Sequence, residues 1–132
     1  MYRKNRVSDR RRFQRLRLNL TAWYRIESPL FLRNIFGDKE IEAITLDIGK
    51  GGISLITKNN IPVWATLIIK FILFKTDNKG LVSFSDPVEI IGEVCSNILL
   101  ENNEYRLGIC FKQIKKEDRY EIDDFVDSAV KA

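Results

Sequence analysis

Two short stretches hold the residues whose types and spacing could do chemistry. The first is Arg10-Arg11-Arg12-Phe13-Gln14-Arg15, in which Arg11 and Arg15 stand four apart. The second is Asp47-Ile48-Gly49-Lys50-Gly51-Gly52, a carboxylate followed by three glycines in four residues. A guanidinium presents a planar fork of donors that fits phosphate oxygens or the O6/N7 edge of guanine, and its face stacks on a base. A carboxylate accepts from the N1–H and N2 amine of guanine. Glycines without Cβ either take positive φ or let a ligand come close to the main chain. Together these groups suit a guanine-bearing phosphate ligand.

Other chemistry is poorly provided for. The 132 residues include no histidine, which removes the commonest general base and metal ligand along with Ser-His-Asp and Cys-His arrangements. The acids are scattered, Asp123-Asp124 reads as the solvated side of a terminal helix, and no zinc or EF-hand spacing is present. The glycine turn lacks the Walker spacing. The chain is therefore expected not to be an enzyme and to carry no metal or cofactor. Cys95 and Cys110 form neither a CxxC nor a disulfide framework and are expected as free thiols. No apolar run is long enough to span a membrane and no secretory leader is evident, so a cytoplasmic location without membrane association is expected.

Charge is distributed unevenly. The chain has 22 Lys and Arg against 18 Asp and Glu, net +4. Residues 1–17 hold eight cations against the single acid Asp9, net +7, which leaves 14 cations against 17 acids, net −3, on the rest. Residues 1–15 read as a flexible basic arm, either simply solvated or anion-binding. Residues 16–132 have the length of one globular domain, and the 45% hydrophobic content of the whole chain agrees with that.

The elements that must position these groups follow from hydrophobic period. Leu16, Leu18, Leu20, Ala22 and Tyr24 alternate with Arg17, Asn19, Thr21, Trp23 and Arg25, which predicts a half-buried strand. Residues 28–39 break that pattern yet carry Leu30, Phe31, Leu32, Ile35 and Phe36; they are expected to form a long hairpin tip folded onto the core, with partner contact the alternative. A second strand over 40–48 places Ile44, Leu46 and Ile48 on one face, and 53–57 returns. A fourth strand, 64–75, places Leu67, Ile69, Phe71 and Leu73 on one face. Strands 88–100 and 104–112 are predicted to pair about a two-residue Asn102-Asn103 turn. Opposed positions then sum to about 205, with Cys95 facing Cys110 on the outer face beside Glu93 and Arg106. Ile122, Phe125, Val126, Ala129 and Val130 fall on one face of a terminal helix, with Glu117 and Asp118 in its first turn. Six consecutive strands with short turns imply an all-β, antiparallel fold with one terminal helix. A chain of this size removes its sheet edges most simply by closing into a barrel.

In such a meander the start of strand one lies near the end of strand two, so the arm's arginines and the glycine turn converge. The pattern Arg10-Arg11-x-x-x-Arg15, then Asp47-x-Gly49-x-x-Gly52, then Tyr105-Arg106-Leu107-Gly108-Ile109-Cys110-Phe111 before a helix, resembles the PilZ domain family from about residue 10 to 130. The resemblance implies a six-stranded β-barrel and a receptor for the bacterial second messenger cyclic di-GMP, acting on a protein effector. It implies that Arg11 and Arg15 grip phosphates and guanine faces, that Arg10 goes with binding a stacked pair of ligands, that Asp47 bonds a guanine and that Gly52 holds the turn. The family motif [D/N]xSxxG has serine where Gly49 stands here. One neutral hydrogen bond is lost, worth about 0.5–1.5 kcal/mol, or roughly threefold to tenfold in affinity.

Three other readings compete. One is a degenerate adaptor of the same family that acts by protein contact without ligand; the retained arginines argue against it. One is a nucleic-acid-binding barrel, since Gly49-x-x-Gly52 resembles the GxxG loop of KH domains; that loop joins helices, and only Phe13 is interleaved with the arm's arginines, so nucleic acid is not the expected partner. The third is an interaction module built on Leu30–Phe36 and the helix.

Overall fold

A computed structural model describes the backbone of residues 16–131 and the side chains of residues 19–128. The elements, in chain order, are β1 (Leu16–Ser28), α1 (Leu30–Phe36), β2 (Ile41–Ile48), β3 (Gly52–Thr57), β4 (Thr66–Phe71), β5 (Phe74–Thr76), β6 (Val82–Phe84), β7 (Val88–Leu99), β8 (Tyr105–Ile114) and α2 (Lys116–Lys131). Six strands close into a barrel in the order β1-β2-β3-β8-β7-β4, with β4 returning to β1, and every pairing is antiparallel. The all-β barrel with a terminal helix is the fold the sequence predicts. β5 and β6 form a separate two-stranded ribbon.

The barrel is filled from alternate positions: Ala22, Tyr24 and Ile26 of β1, Leu67, Ile69 and Phe71 of β4, and Val88, Ile90 and Val94 of β7 are all buried. A buried polar bridge crosses this interior. Asn59 Nδ2 donates to the Tyr24 hydroxyl at 3.1 Å, and the Tyr24 and Thr57 hydroxyls lie 2.7 Å apart, which ties β1 to β3 through the lumen. At the other end of the barrel, α2 is a lid. Ile122, Phe125 and Val126 are buried, as the helical period requires, and Phe125 meets Phe74 of the ribbon edge-on at 5.5 Å. Lys75 of the ribbon pairs with Asp124 at 3.0 Å and Glu121 at 3.6 Å, so the acid that reads as solvated is an anchor for the ribbon.

Several local readings are corrected. Residues 30–36 are a helix and not a hairpin tip. Pro29 precedes it with extended backbone, and Gly37 ends it at φ 77, its N–H bonded to the Arg33 carbonyl. One turn of this helix reaches the core through Leu32, while Leu30, Phe31 and Ile35 stay exposed. The fourth strand stops at Phe71, because Leu73 turns to bond both the main chain and the Oγ of Ser85, and the chain leaves the barrel for the ribbon.

The inward face of β2 is Ala43 and Thr45, with Ile44 turned out. The ladder places Ala43 beside Ala22 of β1, and Thr45 beside Leu55 of β3. The turn between β7 and β8 is also longer than two residues. Leu100 N–H bonds the Glu104 carbonyl across Glu101–Asn103, with Asn103 at φ 60. Opposed positions consequently sum to 203 or 204, and a bulge between Val94 and Ser96 makes Cys95 the extra residue. Cys110 therefore pairs with Glu93 and not with Cys95.

Candidate functional site

The site begins with a register irregularity. Thr45 pairs with Leu55, but Asp47 pairs with Ser54 and Ile48 with Ile53. The residue gained between Thr45 and Asp47 reverses the alternation, so Ile48 returns to the core and Asp47 faces outward. Strict period-2 continuation from Ala43 and Thr45 would have turned the carboxylate into the lumen. Asp47, Ser54, Gly108 and Ser96 consequently form one row across the outer face of β2, β3, β8 and β7. On the other side of Asp47 the ladder partner is Arg17, and Leu16 is opposite Ile48. The strand that leads back to the arm therefore enters the barrel beside the glycine turn, the juxtaposition the sequence predicts for this stretch.

The turn itself is held from three sides. Gly49 N–H bonds the Gly52 carbonyl at 2.9 Å, and Phe111 N–H of β8 bonds the Gly51 carbonyl at 3.0 Å. Arg119 of α2 donates to the Lys50 carbonyl, lies 5.9 Å from the centre of the Phe111 ring and approaches Asp123 at 3.4 Å. Lys50 Nζ pairs with Asp127 at 2.8 Å, and this bond holds its ammonium above the ordinary lysine value. Left-handed glycines among the described residues are Gly37 and Gly80, so the turn glycines do not serve positive φ.

Asp47 is buried, with Arg106 Nη2 3.5 Å from its carboxylate. The sequence reading places Arg106 on the outer face but gives it no part in the site. Its signal was available: Leu107 and Ile109 must face the core, so Arg106 faces out on the strand beside β3. Of the residues singled out from sequence, the structure brings Asp47, Gly49 and Gly52 together at one end of the barrel. Arg10, Arg11 and Arg15, and with them the flexible-arm reading, lie outside the described residues.

A model of the PilZ domain matches residues 9–128. The chain belongs to the PilZ family. The PilZ domain of YcgR from Escherichia coli, solved with c-di-GMP, is similar at TM-score 0.58 and 12% identity over 92% of each chain. The Bacillus subtilis inhibitor of motility MotI/DgrA is similar at TM-score 0.63 and 13% identity, covering 92% of this chain and 50% of that one. A K. pneumonia MrkH–c-di-GMP complex is similar at TM-score 0.60 and 19% identity, covering 92% of this chain and 55% of that one. These likenesses are of fold, and the chain spans about half the length of MotI and MrkH. No curated protein sequence matches. No helix among the described residues is long and apolar enough to cross a membrane.

Proposed function

We propose that this PilZ domain is a non-catalytic cytoplasmic receptor for cyclic di-GMP, in which the basic arm folds over ligand held at the glycine turn and the newly ordered surface addresses a protein effector. The observation that carries the reading is the outward-turned Asp47 beside a braced glycine turn, on the strand pair from which the RRxxxR arm departs. Arg11 and Arg15 supply charge-assisted forks to the phosphates and faces to stack on guanine, and Arg10 extends this to a stacked ligand pair. Asp47 takes the N1–H and N2 amine of one guanine. Gly49 and Gly52 keep side chains out of the way of the ligand, and Arg106 holds the carboxylate in place. Membership of the family and the c-di-GMP in the YcgR and MrkH structures support the choice of nucleotide.

The test is calorimetric titration of the folded chain at low salt with cyclic di-GMP, beside GTP and cyclic di-AMP. Saturable heat with cyclic di-GMP alone is expected. Arg11→Ala and Arg15→Ala should each remove most of the binding, and Gly49→Ser should tighten it roughly threefold to tenfold by restoring a hydroxyl. Absence of heat from a folded sample overturns the reading, and wild-type affinity in both arginine variants overturns the site assignment.

A further inference from the structure

Cys95 and Cys110 are both free and both exposed, on adjacent strands of the outer barrel face. The bulge in β7 inserts Cys95 beside the pair Glu93–Cys110, so the two cysteines are neighbours on adjacent strands. Neither belongs to the core, so packing does not account for them. On its other edge, Cys110 is the ladder partner of Gly52, and the next residue, Phe111, bonds the Gly51 carbonyl. The dithiol thus shares a row with the last glycine of the turn and lies one row from Asp47.

We propose that Cys95 and Cys110 are a modification site for two-electron oxidants of the peroxide class, closing to a reversible cross-strand disulfide that weakens ligand binding at the glycine turn. The effect on ligand rests on the cyclic di-GMP reading; the disulfide does not. Burial first, then the interaction with Cys110, pushes the Cys95 thiol up to about 11, so at neutral pH it keeps its proton. The negative charge opposite Cys110 is Glu93, which Lys112 partly neutralises at 3.3 Å.

One of the two sulfurs attacks a peroxide oxygen. The O–O bond breaks, an S–O bond forms, and the other oxygen leaves as water with the thiol proton. The second sulfur then displaces the sulfenic oxygen: the S–S bond forms, S–O breaks, and hydroxide departs with the second thiol's proton as another water. Two thiols are oxidised and one peroxide is reduced. A disulfide needs its sulfurs about 2.05 Å apart, closer than a thiol–thiol hydrogen bond, so closure draws Cys110 toward β7 and away from Gly52.

The experiment treats the reduced full chain with hydrogen peroxide, counts free thiols, weighs the monomer and titrates both forms with cyclic di-GMP. The oxidised monomer should lose both thiols, weigh about 2 Da less and return to the reduced form with dithiothreitol. Cys95→Ser and Cys110→Ser should each fail to form the bond, and the oxidised wild type should bind at least threefold more weakly. Persistent thiols, or cross-linking only between molecules, overturn the site. Equal affinity of the two forms overturns the coupling. If the reduced chain does not bind at all, the receptor reading falls and the claimed weakening falls with it, while the thiol count still decides the disulfide.

Discussion

Replacing Tyr24 with Phe removes one oxygen from the middle of the barrel and leaves the ring in place. Tyr24 is fully buried, and its hydroxyl serves two partners, Thr57 Oγ1 at 2.7 Å and Asn59 Nδ2 at 3.1 Å. The Tyr24 and Thr57 hydroxyls share a bond that either can donate, and Thr57 Oγ1 also accepts from the Asn59 N–H at 3.3 Å. The variant deletes two of these three bonds. At about 0.5–1.5 kcal/mol each, the loss is roughly 1–3 kcal/mol, with most of the ring's apolar burial unchanged. For a domain of this size that is a fall in Tm of roughly 3–12 °C. Urea unfolding followed by tryptophan fluorescence measures the free-energy loss.

The same residue gives a pH signature. Burial raises the Tyr24 phenol above 10.0, ahead of the opposing bonds to Thr57 and Asn59. The unfolded chain therefore releases this proton at lower pH than the folded one. Its contribution is present in full below pH 10 and falls as pH rises from 10 toward the folded value. The stability gap between wild type and Tyr24→Phe should narrow above pH 10. A gap under about 0.3 kcal/mol at neutral pH, or one that widens with alkali, refutes the bridge as described.

Three further outcomes are expected. Thr45 Oγ1 is buried without a hydrogen-bond partner, so Thr45→Val should raise stability by about 0.5–2 kcal/mol in the same urea assay. A Cβ on Gly92 would lie 2.5 Å from Ile109 Cγ2 and 3.0 Å from the Cys110 carbonyl; Gly92→Ala should cost about 1–3 kcal/mol, read as a lower thermal midpoint. Arg119→Ala removes the brace on the Lys50 carbonyl and should weaken cyclic di-GMP binding severalfold in calorimetry while costing only about 1–2 kcal/mol of stability.

The barrel was legible because its strands alternate cleanly: the inward sets of β1, β4 and β7 are the ones that period 2 selects. Local departures were not, and each has a physical cause. Ala43 and Thr45 face inward and Ile44 outward, an orientation fixed by the register against β1 and β3 and not by hydrophobicity within β2. The bulges beside Asp47 and at Cys95 each add one residue to one strand, and nothing in either strand's own composition marks them. The seven-residue helix 30–36 is too short for a helical period to declare itself. For the site, type and spacing located Asp47, Gly49 and Gly52, whereas Arg106 needed the register of β8 to be read against β3.

One asymmetry of β1 reaches further than the static site. Ala22, Trp23 and Tyr24 are paired on both edges, with β2 and with β4, whereas among the described residues Leu16, Arg17, Leu20 and Thr21 are paired with β2 alone. Among the described residues no strand pairs with their other edge, which borders an apolar groove of about 440 Å³ between Leu20, Trp23 and the ribbon residues Phe74 and Phe84. The strand is thus a half-clamped beam, and its free half can open without breaching the closed barrel. Amide exchange should divide at Thr21–Ala22, fast before and slow after, and any tension applied at the arm would be spent in that first half before it reached the core.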